Sequence, residues 1–163
     1  MLKTNLKALC WSCLIAIIDQ VTKLLIKHYL ELNDVIHLVG RYIGFRYIEN
    51  PGMAFGIQIG GKLFFTVFAV IASLVILIFL LRLPGNNFWT RFALASILGG
   101  AIGNLIDRIA FGRVVDFIEI GPWPIFNFAD IAVTVGMIIL IVIVFYERKE
   151  EKESQEEKFE INY

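Results

Sequence analysis

The sequence predicts a mainly α membrane protein: four transmembrane helices with a small extracytoplasmic β-element between helices one and two. Three observations carry that prediction. Of 163 residues, 58% are hydrophobic and 18% charged, with a mean hydropathy of +0.72; a soluble domain of this length is nearer half apolar and a quarter charged. Four segments approach the roughly 20 apolar residues that a membrane-spanning helix needs. Between the first two lies a stretch rich in Val, Ile, Tyr and Phe with Gly breaks, the composition of short strands and turns. The length suits one domain covering residues 1–163.

The first span is expected over 8–27. Its leader, "MLKTNLKALCWSCLIAIIDQ", has two lysines and then an apolar run, like a secretory signal. No A-x-A-like site follows, and the run continues past Asp19 as "VTKLLI", so the segment reads as an uncleaved helix. Cys10 and Cys13 form a lone "CWSC" without a thioredoxin-like context or further metal ligands, and read as ordinary thiols in the membrane. The β-element is placed at about 35–60. The second span, 63–81, is an uncharged run of 19 residues, and "RLPGNNFWTR" then reads as a Pro-Gly turn. The third span, 91–109, has its uncharged part between Arg91 and Asp107. "FGRVVDFIEIGPWP" reads as a loop with a partly helical or extended piece, and Pro124 suits the first helical position of the fourth span, 125–146. The tail, 147–163, holds seven acids and four bases and reads as solvated and partly disordered.

Net charge is zero, and the chain ahead of the tail is net positive by three. There is no cluster of Lys/Arg with interleaved aromatics, so no nucleic-acid partner is expected. With four spans both termini share a side. That side carries Lys3, Lys7, Arg82, Arg91, Arg148, Lys149, Lys152 and Lys158, and the Lys/Arg bias puts it in the cytoplasm.

Ionisable residues inside spans cost roughly 2.5–3.5 kcal/mol on insertion scales and usually mark function. Here they are Asp19, Lys23, Asp107, Arg108 and Asp130. Given the alternating directions of the spans, all of them fall toward the extracytoplasmic leaflet. Asn104, Asp107 and Arg108 share a helix face at i, i+3 and i+4, as do Asn127 with Asp130 and Asp19 with Lys23. Gly99 and Gly103 have the small-xxx-small spacing that permits close helix approach, which is expected to draw the polar faces of spans three and four together. Asp116 lies in the connection between those faces. Asp19 with Lys23 also reads as an interhelical or snorkelling pair, and Asp107 as a structural partner of an arginine.

Asp116 and Asp130 suggest a specific chemistry. Two neighbouring carboxylates cannot both ionise readily, so they share a proton. One can then take a proton from water while the other donates to a carbonyl oxygen. Other peptidase chemistries lack their residues: His28 and His37 do not form H-E-x-x-H, and no serine sits in G-x-S-x-G. A proton relay in a transporter and a non-catalytic membrane assembly subunit remain alternative readings of the same carboxylates.

The blocks "DQVTK" (19–23), "NPGMAF" (50–55), "GGAIGNLIDR" (99–108), "VVDFI" (114–118) and "FNFAD" (126–130) resemble, in order, those of the lipoprotein signal peptidases, the type II signal peptidases of bacteria. The resemblance spans about Asp19 to Gly136. It implies an aspartic endopeptidase of the bacterial inner membrane. Its substrates would be prolipoproteins whose cysteine already carries diacylglyceryl, cut just before that cysteine. It further implies catalytic Asp116 and Asp130, supported by Asp19, Asn50, Asn104, Arg108 and Asn127, with no metal and no cofactor. The expected partners are the prolipoprotein and membrane lipids. A monomer would suffice, because both aspartates lie in one chain.

Overall fold

The computed structural model describes residues 2–54, 57–58, 61–84 and 87–161. Phe55 of the "NPGMAF" block, residues 59–60 at the end of the expected β-element, Gly85 of the Pro-Gly turn and the last two tail residues lie outside the described residues. The helices are α1 (Leu2–Tyr29), α2 (Gly61–Arg82), α3 (Phe88–Phe111) and α4 (Phe128–Ile161). Each contains a segment long and apolar enough to cross a membrane.

The helix α3 is central and packs on the other three. Half of its span is buried, against 11% for α2. That position explains its low hydropathy, 1.3 against 3.0 for α2. Besides Arg91, Leu98 and Asp107, its buried residues are Ala93, Ala95, Ser96, Gly99, Gly100, Gly103 and Asn104, mostly small side chains that let helices approach closely. The lipid-facing helices carry the long apolar side chains instead, with Leu63, Phe68 and Phe79 of α2 all exposed.

The glycines divide their work differently from the expectation. A Cβ at Gly99 would stand 2.6 Å from Ser12 O, and one at Gly103 2.5 Å from Asp19 Oδ2, so this pair closes α3 onto α1. The approach of α3 to α4 is made by Gly100, against Ala129, and by Gly136, whose added Cβ would lie 2.7 Å from Ala93 O. Gly99 and Gly103 lie on one face of α3, and Gly100 lies about 100° round the helix from Gly99. Spacing alone does not say which neighbour a face meets.

At the end of the bundle that holds the chain's start, Arg91 is buried. Its guanidinium donates to Leu80 O (3.3 Å), to Leu83 O (2.6 Å) and to Asn5 Oδ1, while Asn5 Nδ2 donates to Leu81 O (3.1 Å). The bonds to Leu80 O and Leu81 O satisfy carbonyls that the last turn of α2 leaves without intrahelical partners.

The sheet sits at the opposite end. Strands β1 (Val35–Val39) and β2 (Ile43–Asn50) form an antiparallel pair between α1 and α2. A short pair, β3 (Met53–Ala54) and β4 (Ile57–Gln58), follows. The third strand of the main sheet, β5 (Val114–Ile120), comes from the connection after α3, giving the order β1-β2-β5. Asp116 therefore lies on a strand and not on a loop, paired in register with Ile48. Gly112, at φ 74°, caps α3 in the left-handed conformation that favours glycine and donates to Arg108 O (3.0 Å), which turns the chain into β5. Val115 and Phe117 pack with Leu30 and Tyr47 in a small core. Side chains alternate faces along a strand, so Asp116 is turned away from that core.

Two further expectations change. The fourth helix starts at Phe128, so Pro124 precedes it by several residues and is not its first position. The charged tail is helical as far as Ile161, continuing α4. The exposed Lys149–Glu153 pair (3.6 Å, i,i+4) illustrates the spacing that supports such a helix.

Candidate active site

The N-terminus of α4 carries the first part of the site. Asn127 precedes the helix, and its Oδ1 accepts from Asp130 N (3.0 Å), while Asp130 Oδ2 accepts from Asn127 N (3.1 Å). This reciprocal arrangement is a capping box, in which a cap residue and the residue three further on satisfy each other's backbone donors. The i, i+3 spacing of Asn127 and Asp130 thus has a local cause, which N-x-x-D ahead of an apolar run signals in the sequence. A carboxylate at this position also faces the positive end of the helix dipole.

Asn127 turns its amide toward β5. Its Nδ2 donates to Asp116 Oδ1 (2.7 Å) and to Asn104 Oδ1 (3.0 Å). Asn104 Nδ2 donates to Asp130 Oδ1 (2.8 Å), and Asn50 Nδ2 donates to Asp116 Oδ2 (2.9 Å). Asn50 is itself held by an Asx turn, its Oδ1 accepting from Gly52 N (2.9 Å). Three asparagines from α3, β2 and the start of α4 thus direct amide donors at two carboxylates, and Asn127 touches both.

Asp116 is 3% exposed. Burial, the largest influence, and the charge of Asp130 raise its carboxyl from the ordinary 3.8, to a net value of about 7. The amides of Asn50 and Asn127 and the charge of Lys23 pull the other way. An aspartic acid in this setting holds a proton near neutrality. Both oxygens of Asp130, by contrast, accept hydrogen bonds from N–H groups. Arg108 stands half-buried beside the pair and acts electrostatically on Asp130, Asp116 and Asp107. Its buried Nε has no hydrogen-bond partner among the described residues.

A second polar layer lies underneath. Lys23 is 2% exposed, and its Nζ meets Asp19 Oδ2 (2.8 Å), Asp107 Oδ2 (3.0 Å) and Asn104 Oδ1 (2.9 Å). Gln20 Nε2 donates to Asp107 Oδ1 (3.0 Å) and to Gly103 O (3.0 Å). Asp19 Oδ1 accepts from Ala129 N (2.9 Å), and Asp107 Oδ2 accepts from Val115 N (3.1 Å). The pairing of Asp19 with Lys23 is an interhelical hub and does not snorkel. Among the described residues the ion pair of Asp107 is with this lysine, while Arg108 acts on it only electrostatically. Gln20 and the reach of Lys23 were missed, although both stand inside "DQVTK". Breaking a buried ion pair from one side costs about 3–5 kcal/mol, so this layer is expensive to disturb.

All seven site residues that the resemblance implies meet at the sheet end of the bundle. Asp116, Asp130, Asn50, Asn104 and Asn127 form one hydrogen-bonded group, Asp19 caps α4 beneath it, and Arg108 flanks it. Fold and site together define a multi-pass membrane protein with two carboxylates, one buried and one half-buried, and their amide donors gathered at one end of a helical bundle. The family model described as Signal peptidase (SPase) II matches residues 11–146, and the chain belongs to that family of peptidases. Among similar proteins, the lipoprotein signal peptidase of Moorella thermoacetica is 40% identical over 79% of this chain and 86% of its own. That of Pseudomonas fluorescens is 40% identical over 85% of this chain and 86% of its own. A solved bacterial membrane enzyme superposes with a TM-score of 0.83 at 30% identity, covering 90% of this chain and 92% of its own.

Proposed function

We propose that this peptidase removes signal peptides from prolipoproteins inside the membrane, using Asp116 and Asp130 as an aspartic dyad. Cleavage falls just before a cysteine that carries diacylglyceryl. The observation that carries the reading is the bridge made by Asn127, which donates to Asp116 Oδ1 at 2.7 Å and forms a reciprocal cap with Asp130.

The asymmetry of the two environments assigns the roles. Asp116, with its carboxyl raised to about 7, is the acid, and Asp130, surrounded by N–H donors, is the base. Water attacks the scissile carbonyl carbon and gives its proton to Asp130 as Asp116 protonates the carbonyl oxygen. The tetrahedral diol then collapses. Asp130 passes its proton to the departing amine, the C–N bond breaks, and Asp116 recovers a proton from the diol hydroxyl. No covalent intermediate forms. Asn50, Asn104 and Asn127 hold the carboxylates in place, and Arg108, half-buried beside the pair, is the cation that would position the substrate backbone.

The Lys/Arg bias supports cytoplasmic termini in a bacterial inner membrane, which puts the site toward the extracytoplasmic leaflet. Both aspartates lie in one chain, so a monomer suffices. The test is to purify Asp116→Asn and Asp130→Asn in detergent and supply a diacylglyceryl-modified prolipoprotein. Both variants are expected to lose cleavage while keeping their thermal stability. Cleavage retained by either would sink the dyad. Lost stability in step with lost activity would favour an assembly role.

A further inference from the structure

The proposed chemistry leaves Asp19, Lys23, Arg91 and Asp107 unused among the buried ionisable groups, and Lys23 joins two of the others. Lys23 is among the largest fully buried side chains of the described residues, and all three ammonium donors are engaged, by Asp19, Asp107 and Asn104. Each of those contacts leads toward the dyad by a separate route. Asn104 donates directly to Asp130 Oδ1. Asp19 accepts from the backbone N of Ala129, the residue before Asp130. Asp107 accepts from the backbone N of Val115, the residue before Asp116. One cation on α1 thus gathers α3, β5 and the start of α4 about a single point.

The first route also has a chemical direction. An ammonium group donates and cannot accept, and an amide has one accepting and one donating end. Lys23 therefore attracts Asn104 Oδ1, which leaves Nδ2 for Asp130. Were that amide reversed, its oxygen would face Asp130 Oδ1, and the hydrogen bond would be lost unless Asp130 were protonated.

We propose that Lys23 is a positioning residue for the aspartic dyad: through Asn104, Asp19 and Asp107 it sets the orientation of Asp130 and its separation from Asp116. This rests on the dyad reading above. Neutralising two buried aspartates is a separate, structural role, and two variants tell them apart. Lys23→Met removes both charge and donors. Lys23→Arg keeps a cation but replaces three directed donors with a planar fork that cannot reproduce their geometry.

The experiment measures kcat and KM for cleavage of a diacylglyceryl-modified prolipoprotein, with thermal stability in the same detergent. Loss of positioning is expected to lower kcat by about 10²-fold in Lys23→Met and about tenfold in Lys23→Arg, with KM within about twofold in each. Combining Lys23→Met with Asn104→Ala is expected to cost less than the product of the two single losses, as for residues acting through one another. A stably folded Lys23→Arg with unchanged kcat would overturn the proposal even if Lys23→Met fails to fold. Losses that multiply in the double variant would overturn the route through Asn104. Asp130→Asn run alongside separates the two levels: cleavage surviving there refutes the dyad, whereas an inactive Asp130→Asn beside a full-rate Lys23→Arg refutes the role of Lys23 alone.

Discussion

Replacing Gly100 with alanine tests whether the approach of α3 to α4 sets the place of Asp130. The added Cβ would fall within contact distance of Ala129 O, 2.9 Å from Val133 Cγ2 and 3.2 Å from the carbonyl carbon of Ala129. Carbon atoms pack at about 3.5–4.0 Å, so the helices must separate by roughly 0.5–1 Å. Val133 can rotate away, but the Ala129 backbone cannot, and it adjoins Asp130. Overpacking of this kind costs about 1–3 kcal/mol, and the better helix propensity of alanine returns about 1 kcal/mol. The net loss of stability is then at most about 2 kcal/mol. A displacement near 1 Å at a reacting group costs about 10²-fold in rate, equivalent to about 2.7 kcal/mol. Activity should therefore fall more than stability.

Gly136→Ala is the control. Its Cβ meets Ala93 O and Ile97 Cγ1, both at 2.7 Å, so it crowds the same pair of helices about 9 Å further along α4 from Asp130. Both variants are to be compared by detergent melting and by kcat on a lipidated prolipoprotein. Gly100→Ala is expected to be much the slower at a comparable melting temperature. Equal rates in the two, or Gly100→Ala at wild-type kcat, would refute the link between this helix contact and the dyad.

Two other outcomes follow from the same geometry. Asn127→Ala removes the cap of α4, worth about 1 kcal/mol, and also the amide that joins Asp116 to Asn104; melting should show a modest loss and the cleavage assay a loss of at least about tenfold. Asp116 makes stability depend on pH: its carboxyl is raised to about 7 in the fold and sits near 3.9 when unfolded. Its contribution is therefore complete below about pH 4 and is lost as pH rises through about 7. Wild-type protein should lose melting temperature over that window relative to Asp116→Asn, and cleavage should decline above it as the acid deprotonates; parallel pH titrations of both proteins check this.

The helices were legible because hydropathy is local. A run such as Leu63 to Leu81 has one stable arrangement in lipid, since a helix satisfies every backbone group within the segment. The polar residues were legible for the complementary reason: a carboxylate such as Asp130 in such a run needs a partner or a purpose. The motif blocks then supplied Asp19, Asn50, Asn104, Arg108, Asp116, Asn127 and Asp130, which the fold assembles at the sheet end together with Gln20, Lys23 and Asp107.

Partnership between distant segments was not legible. Nothing in "VVDFIEI" states that it pairs with β2, 66 residues away where Asn50 meets Asp116. The same holds for Gly99 and Gly103, whose spacing permits close approach but does not say to which helix. Lys23 and Asp19 are neighbours on α1, whereas the bonds that make Lys23 a hub cross 81 residues to Asn104 and a similar distance to Asp107. Membrane insertion depends on properties summed along each segment. The orientation of a buried amide or ammonium depends on which donors and acceptors the packed bundle brings within 3 Å or so.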